Sequence, residues 1–455
     1  MSAEALASLI AELPEGVVVT DPDIVASYRQ DRAADPSGGT PLAVVRPRRT
    51  EEVSTVMRWA TAHKIAVVPR GMGTGLSGGA TALNGGIVLS TEKMRDIAVD
   101  PVTRTAVAQP GLLNAEVKKT VAEYGLWYPP DPSSFEICSI GGNIATNAGR
   151  VVLREIRRDH RLRARAAGGA GRRDGGAPWR AAAQGRRRVV ADQAVRRQRG
   201  HAGGDHRGDV AAAAPQHVAC TVVATFDSVE AAANAVVTIT GKIRPSMLEF
   251  MDAASINAVE DKLRMGLDRS AAAMMVAATD DRGPSGVEDA EFMATVFTEH
   301  GAKEVFSTSD PQEGEVFVAA RRFAIPAVEA KGSLLLEDVG VPLPALADLV
   351  SGVAKIAANN DVMISVIAHA GDGNTHPLIV YDPTDAAMAE RAQKAFGEIM
   401  DLAVGLGGTI TGEHGVGRLK RPWLAGQLGS EAMELNQRIK RALDPDGILN
   451  PGAAI

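Results

Sequence analysis

The sequence predicts an α+β protein with more than one domain, and three observations support that prediction. The chain has 455 residues, which is too long for one hydrophobic core and indicates two or three domains. Between residues 42 and 148, short apolar runs typical of strands alternate with helical stretches. The same alternation resumes at Cys220 and continues to about Val380, which favours a second α+β domain built on an antiparallel sheet.

The elements of the first half follow from its apolar periodicity. Helices are expected at 3–13 and 23–28, in an acidic N-terminal segment that ends near Asp35. After this segment we expect strands and helices in the following order: strand 42–45, helix 51–63, strands 65–68, 86–89 and 106–108, and helix 114–124. Pro69 is expected to end the strand 65–68.

A glycine-rich run at residues 68–80 organises this half of the chain. It reads V-P-R-G-M-G-T-G-L-S-G-G-A and follows a short apolar run with strand character. Glycines let the backbone turn tightly or lie against a ligand, and successive N–H groups form a concave site for phosphate. No lysine is present, so the run is not a Walker loop, and its spacing fits a strand–GxGxxG–helix unit poorly. The alternative is a flexible surface loop.

A second run of small residues, 129–149, reads P-P-D-P-S-S-F-E-I-C-S-I-G-G-N-I-A-T-N-A-G. Together with V-V-R-P-R-R-T-E-E-V at 44–53, the two runs resemble the FAD-linked oxidases of the para-cresol methylhydroxylase (PCMH) and vanillyl-alcohol oxidase type. The resemblance implies a PCMH-type, two-subdomain FAD-binding domain followed by an α+β substrate domain. It also implies noncovalent FAD, held by Pro69, Arg70, Gly71, Gly73, Thr74, Gly75, Ser77, Gly78, Gly79, Pro132, Ser133, Ser134, Gly141, Gly142, Asn143, Ala145, Thr146 and Asn147.

Domain boundaries follow from the same resemblance. We expect an N-terminal helical segment at 1–36, the FAD-binding domain at 37–217 and the C-terminal substrate domain at 218–455. In the second half, strands are predicted at 221–226, 247–251 and 363–367, with a helix at 228–239. The tail 443–452, L-D-P-D-G-I-L-N-P-G, matches the family segment that returns to the flavin.

Residues 150–214 differ from the rest of the chain. They contain 17 arginines, no lysine and one aromatic residue, Trp179, and without them the remaining chain has a net charge of about −17. In the written frame this composition indicates disorder, or an arginine-rich arm that binds nucleic acid. A frameshift explains it better, because GC-rich codons read one base later can give family-like segments such as G-S-E-G-T-L-G-V-I-T-E-A-T-L. The stretch is therefore expected to be out of frame, so that the written chain binds FAD poorly.

Two motifs in the second half have the composition of a metal site. His369 to His376 reads H-A-G-D-G-N-T-H, and residues 411–417 read T-G-E-H-G-V-G. Two imidazoles and a carboxylate suit a divalent transition metal, and a seven-residue spacing across a glycine turn lets both imidazoles converge. The alternative is that each histidine is an ordinary hydrogen-bonded loop residue and that Asp372 and Asn374 only form turn contacts.

The two motifs resemble those of the D-2-hydroxyacid dehydrogenases, the D-lactate dehydrogenase and glycolate oxidase branch of the same oxidases. The resemblance implies that His369, His376 and Glu413 bind zinc or another divalent metal near Asn374. It implies further that His414 is the catalytic base and that Arg321 binds the substrate carboxylate. Lys331 and Lys420 are expected to be solvated.

The predicted function is FAD-dependent oxidation of a D-2-hydroxy acid of the D-lactate or glycolate class to the 2-oxo acid. The alternatives are D-2-hydroxyglutarate as substrate, or an inactive frameshifted remnant without flavin. With only Cys138 and Cys220, the chain has no iron–sulfur motif, so the electron acceptor is a quinone, a cytochrome, an iron–sulfur subunit or oxygen. No apolar run can span a membrane, and no signal peptide is evident, so we expect a cytoplasmic protein, peripheral to the membrane at most.

Overall fold

A computed structural model describes residues 2–33, 35–146, 148, 220–281 and 283–454, and the backbone of two strands at 165–168 and 205–211. The chain divides into two compact units. The first unit comprises Met1–Gly149, Asp159–Pro215 and Glu413–Ile455. The second unit comprises Arg150–Arg158 and Gln216–Gly412.

The first unit contains the N-terminal helices and two small sheets. Its helices before residue 150 are α1 (Ser2–Glu12), α2 (Pro22–Ser27), α3 (Thr50–His63), α4 (Asn114–Ala122) and α5 (Ile140–Thr146). Its strands are β1 (Val18–Val19), β2 (Ala43–Val45), β3 (Val67–Arg70), β4 (Ile87–Ser90), β5 (Ile97–Asp100), β6 (Thr105–Ala108), β7 (Arg165–Gly168) and β8 (Asp205–Ala211). The strands and helices predicted between residues 3 and 124 are confirmed, with bounds that differ by at most two residues.

The two sheets define two subdomains. In the first sheet, the order is β1-β2-β4-β3, and β2, β4 and β3 are parallel. In the second, the order is β5-β6-β8-β7, with antiparallel pairing throughout. Each sheet covers its own hydrophobic cluster, centred on Val56 and Trp59 in one case and on Val117 and Ile140 in the other. The predicted two-subdomain architecture is confirmed.

The sequence predicted that Pro69 would end its strand, and this prediction is wrong. Strand β3 continues through Pro69 to Arg70, and Pro69 lies opposite Leu89 of β4. Proline has no N–H to donate, but β3 lies at the edge of its sheet, where that donor is not required. The glycine-rich run therefore begins at the carboxyl end of a parallel strand.

The arginine-rich stretch lies largely outside the described residues. Its two described segments, β7 and β8, form antiparallel strands that extend the second sheet from β6. The expectation that the written stretch has no regular structure is therefore wrong for these eleven residues, whose main-chain groups pair in the sheet.

The second unit is built on one eight-stranded sheet. Its strands are β9 (Cys220–Phe226), β10 (Met247–Asp252), β11 (Ala273–Thr279), β12 (Glu304–Thr308), β13 (Ser333–Leu336), β14 (Val339–Gly340), β15 (Met363–His369) and β16 (Asn374–Tyr381). The order is β12-β9-β11-β10-β15-β16-β13, with β14 paired to β16, and all of these pairings are antiparallel. The predicted antiparallel sheet is confirmed.

Helices cover this sheet and complete the chain. In the second unit they are α6 (Val229–Lys242), α7 (Ala253–Leu263), α8 (Pro284–Glu299), α9 (Pro311–Arg322), α10 (Ala324–Glu329), α11 (Leu346–Asn360) and α12 (Ala386–Gly405). The last segment of the first unit contains α13 (Arg421–Leu443), whose backbone is interrupted at Gly429. Among the described residues, no helix combines the length and apolar character needed to cross a membrane.

The N-terminal segment and the C-terminal tail both pack into the first unit. Leu9 and Leu13 are buried in the cluster that also contains Leu449, and the Trp59 indole donates to the backbone oxygen of Ala5 at 2.8 Å. The tail lies along the edge of β3 that faces away from β4, where the Val67 N–H donates to Ile448 O at 2.8 Å. The segment 1–36 thus shares the core of its neighbours, and residues 413–455, predicted within the substrate domain, belong to the first unit.

Candidate active site

The two glycine-rich runs lie side by side in the first unit. A Cβ atom placed on Gly71 would come within 2.4 Å of the Ser139 hydroxyl and 3.7 Å of the Gly142 nitrogen. Gly73 and Gly78 have positive φ angles of 73° and 70°, which only glycine adopts easily. Two backbone segments that approach this closely, beside the carboxyl ends of parallel strands, form the kind of site that binds a nucleotide.

Acidic residues of the N-terminal segment anchor the first run. The carboxylate of Asp31, which is buried, accepts a hydrogen bond from the Ala80 N–H at 3.2 Å. A Cβ atom on Gly78 would lie 2.9 Å from the Asp35 carboxylate. The Arg70 side chain donates to Gln30 O at 2.7 Å, and burial lowers the pKa of its guanidinium. These contacts hold the run in one conformation.

The C-terminal tail contacts the other end of the run. The Asn450 amide donates to Gly79 O at 2.7 Å, and the Arg418 guanidinium donates to Pro451 O at 2.7 Å. Burial lowers the pKa of Arg418, while the nearby Asp35 carboxylate opposes that shift. Lys420 was expected to be solvated, and this expectation is wrong, because the residue is fully buried in the same segment. Lys331 lies at the surface, where it forms an ion pair with Asp261 at 2.8 Å.

The second run forms a turn and a short helix. Pro132, Ser133 and Ser134 lie in the turn, and Gly141, Gly142, Ala145 and Thr146 belong to α5 and are half-buried. Asn143 is buried: its Oδ1 accepts a hydrogen bond from Asn114 at 3.0 Å, and its amide faces the Cys138 sulfur at 3.2 Å. Burial raises the pKa of the Cys138 thiol, as expected of a packing residue. Asn147 lies outside the described residues.

The two histidines of the first metal motif face each other in the second unit. His369 ends β15 and His376 lies near the start of β16, where the register places both on one face of the sheet. Their ring centroids are 5.1 Å apart, and the rings are nearly perpendicular at 85°. Gly373, with φ of 78°, makes the tight reversal between the strands. The predicted convergence of the two imidazoles is confirmed.

A buried glutamate orients the first histidine. Glu249, on β10, lies 2.8 Å from His369 Nδ1, and its side chain is 2 % exposed. The same carboxylate pairs with Arg321 Nη2 at 2.9 Å. A hydrogen bond to Nδ1 fixes the imidazole tautomer, so that Nε2 presents a lone pair to a metal. Arg321, predicted to bind substrate, therefore lies beside the histidine pair and is linked to it through Glu249.

A buried aspartate occupies the corresponding position beside the second histidine. Asp338 is fully buried, with its Oδ1 3.8 Å from His376 Nδ1. Its Oδ2 accepts hydrogen bonds from the Thr411 hydroxyl at 2.7 Å and from the Gly412 N–H at 3.1 Å. Asp338 therefore lies at ion-pair distance from a histidine and fixes the backbone that immediately precedes Glu413.

Asn374 provides a buried polar atom in the same region. Its side chain is 7 % exposed, and among the described residues no hydrogen-bond donor approaches its Oδ1. Gly412 lies so close that a Cβ there would be 2.0 Å from this oxygen. Two facing imidazoles, of which His369 is oriented by Glu249, and an unsatisfied oxygen nearby fit a divalent metal with a polar ligand.

Glu413 and His414 are the first two residues of the last segment of the first unit. There the Ser77 hydroxyl, in the first glycine run, donates to Gly415 O at 2.8 Å and lies 3.4 Å from His414 O. Sequence reasoning missed Glu249, Asp338 and this role of Ser77. The signals were present, because Glu249 interrupts the otherwise apolar run M-L-E-F-M, and Asp338 follows the apolar run L-L-L after one intervening glutamate.

This fold and these motifs define an FAD-linked oxidoreductase. The chain belongs to the FAD-linked oxidases: residues 215–454 match the family described as "FAD linked oxidases, C-terminal domain", and residues 41–167 match the family described as "FAD binding domain". FAD is the cofactor of this family. The predicted membership, fold class and cofactor are confirmed.

Particular relatives narrow the comparison. The chain is 36% identical over 423 residues to the glycolate oxidase subunit GlcD of Bacillus subtilis, covering 90% of this chain and 88% of that protein. It is 31% identical to the D-lactate dehydrogenase of Archaeoglobus fulgidus, covering 98% and 99% of the two chains. A crystal structure of p-cresol methylhydroxylase with substrate bound shares the fold, with a TM-score of 0.81 at 14% identity over 99% of this chain and 96% of that one.

Proposed function

We propose that the protein oxidises a small D-2-hydroxy acid, of the D-lactate or glycolate class, to the corresponding 2-oxo acid. The observation that carries this proposal is the histidine pair, in which Glu249 holds His369 Nδ1 at 2.8 Å and directs Nε2 towards a ligand. A metal-binding pair of this kind suits a substrate with adjacent hydroxyl and carboxylate groups, because the two oxygens can chelate one ion. The relatives named for glycolate and D-lactate support the same substrate class.

The proposed metal ligands are His369, His376 and Glu413. The donor set of two imidazoles and one carboxylate is typical of zinc and related divalent ions, and it leaves a position for substrate. Glu413 directly follows Gly412, whose N–H is held by Asp338 at 3.1 Å. When bound, the metal supplies a Lewis acid that lowers the hydroxyl pKa of the substrate, and FAD supplies the acceptor for the C2 hydride.

The protein residues bind the substrate and accept its proton. We assign the O–H proton of the substrate to His414, since an imidazole titrates near neutrality and suits a general base. We assign the substrate carboxylate to Arg321; a guanidinium has five N–H donors, so its 2.9 Å contact with Glu249 is compatible with a second carboxylate. With FAD bound, the substrate would lose one proton to His414 and one hydride to the cofactor, which would leave the 2-oxo acid.

The cofactor is assigned to the two glycine-rich runs, 69–79 and 132–147, with noncovalent attachment. The acceptor that would reoxidise bound FAD is assigned to a quinone, a cytochrome, an iron–sulfur subunit or oxygen. The chain itself has only Cys138 and Cys220, which cannot form a four-cysteine iron–sulfur site. Neither a nucleic acid nor a membrane-spanning segment has a part in this proposal.

We also propose that residues 150–214 are written out of frame. The two family matches end at residue 167 and resume at 215, so most of the stretch lies in neither match. Resequencing the gene across the codons for residues 147–217 tests this directly. An added or missing base at each end is expected, and an unbroken written frame would refute it and predict a colourless product.

The functional test uses the protein expressed from its own gene. We expect a yellow flavin spectrum that bleaches anaerobically when D-lactate or glycolate is added. Dialysis against a strong chelator should abolish this bleaching, and addition of Zn²⁺ or Mn²⁺ should restore it. His414→Asn is expected to abolish turnover and to leave at most a slow residual bleaching, while the flavin absorbance is retained. Bleaching that survives chelation would refute the metal, and bleaching at the normal rate in His414→Asn would refute the base.

A further inference from the structure

Ser77 differs from the rest of the first glycine run in what its side chain contacts. The residue is fully buried, and its hydroxyl donates to Gly415 O at 2.8 Å, with His414 O 3.4 Å away. A serine hydroxyl has one proton to donate. That proton is engaged by the T-G-E-H-G-V-G motif, so the hydroxyl cannot at the same time donate to a cofactor phosphate.

The backbone of Ser77 contacts the same motif from its other end. Ser77 O accepts hydrogen bonds from the Arg418 N–H at 2.9 Å and from the Leu419 N–H at 3.3 Å. Gly417 lies between these contacts with φ of 54°, and a Cβ atom there would come within 1.8 Å of Ser77 O. Only a glycine permits this approach, so the motif is fitted to Ser77 on both sides.

We propose that Ser77 is a positioning residue for His414. Its hydroxyl donates to Gly415 O, in the second peptide plane after His414, and lies 3.4 Å from His414 O in the first, so it restrains the backbone that carries the His414 Cα–Cβ bond. Ser77 thus links the first glycine-rich run to the backbone that carries the base, His414, whereas the other residues of the run determine the conformation of the run itself. The inference rests on the proposed function only in taking His414 as the base.

The test compares Ser77→Ala with a matched control, Ser255→Ala. Ser255 is also a fully buried serine, with its hydroxyl 3.3 Å from Val366 O, and it lies in the second unit. Each variant is assayed for flavin absorbance, for the anaerobic flavin-reduction rate with D-lactate or glycolate across pH, and for amide hydrogen exchange of a peptide covering 412–420.

For Ser77→Ala we expect retained flavin and a reduction rate about ten- to a hundred-fold lower, because a base displaced by about 1 Å transfers protons poorly. We expect faster exchange in the 412–420 peptide, an altered acidic limb of the pH profile, and partial rescue by Ser77→Cys. Ser255→Ala is expected to leave that peptide and the pH profile unchanged.

A double-mutant cycle decides whether the effect acts through His414. In the His414→Asn background, Ser77→Ala should not lower the residual flavin-reduction rate further. A persistent loss in that background, or loss of flavin from Ser77→Ala alone, would overturn the inference while leaving the base assignment intact. A normal rate in His414→Asn alone would instead refute the base assignment, and the inference with it.

Discussion

Replacing Glu249 separates two roles that its carboxylate combines. It accepts a hydrogen bond from His369 Nδ1 at 2.8 Å and neutralises Arg321 at 2.9 Å, in a position that is 2 % exposed. Three variants distinguish these roles: Glu249→Gln keeps an acceptor but removes the charge, Glu249→Met removes both, and Glu249→Met with Arg321→Met also removes the buried cation.

The structure gives a magnitude for each. Glu249→Met removes a buried carboxylate that pairs with the Arg321 guanidinium, which is 7 % exposed, and we expect a loss of about 3–5 kcal/mol in unfolding free energy. Replacing both partners by apolar side chains is expected to recover most of that loss. Metal affinity should behave differently, falling about 10–100-fold in both Met variants because His369 loses the partner that orients it. Glu249→Gln should retain more of the affinity.

The assay measures stability by urea unfolding and metal affinity by competition between the protein and a coloured chelator for Co²⁺ or Zn²⁺. Neither measurement depends on turnover. Glu315→Gln is the matched control, since Glu315 pairs with Arg322 at 2.6 Å on the surface and should change stability by less than about 1 kcal/mol. If the double Met variant bound metal as tightly as the unaltered protein, Glu249 would not orient a metal ligand.

Three further predictions follow from the packing. Burial raises the pKa of Asp252 to about 6, so the folded state favours the protonated carboxyl group. The contribution of this group to stability is complete below about pH 4 and is lost as the pH rises through 6. Asp252→Asn should therefore remove about 3 kcal/mol of the pH dependence of the unfolding free energy, as measured by urea unfolding across this range. Gly412→Ala should weaken Zn²⁺ binding at least about tenfold, since the new Cβ would meet Asn374 Oδ1 at 2.0 Å; unchanged competition titrations would contradict this. Trp59→Phe removes the 2.8 Å bond to Ala5 O and should lower the unfolding free energy by about 1–3 kcal/mol, with greater protease sensitivity at the N-terminal helix; equal cleavage rates would argue against that bond.

The sequence predicted the elements because their periodicity is local. Strand β15, helix α3 and the turn at Gly373 each depend on residues within one short window, so apolar spacing and glycine placement were sufficient. The convergence of His369 and His376 was predictable for the same reason, since a hairpin with a glycine turn brings residues seven apart onto one face.

Contacts between distant segments could not be predicted in the same way. Glu249 lies 120 residues before His369, and nothing in either local window indicates that they meet. A charged residue in an apolar strand signals a buried partner, but not which one. The prediction that Pro69 ends its strand was wrong for a related reason. Whether a proline ends a strand depends on whether the strand lies at the edge of its sheet, and this position is a property of the whole fold.

The return of the chain to the first unit at Glu413 has a consequence for biosynthesis. Residues 216–412 of the second unit are continuous, so that part can fold as soon as it leaves the ribosome. The first unit must wait, because the outer edge of β3 is closed only when Ile448 and Asn450 reach Val67. We therefore expect flavin to bind only after the polypeptide is complete. A message truncated after codon 412 would yield a folded second unit joined to an incomplete first unit, in which the unpaired edge of β3 favours aggregation.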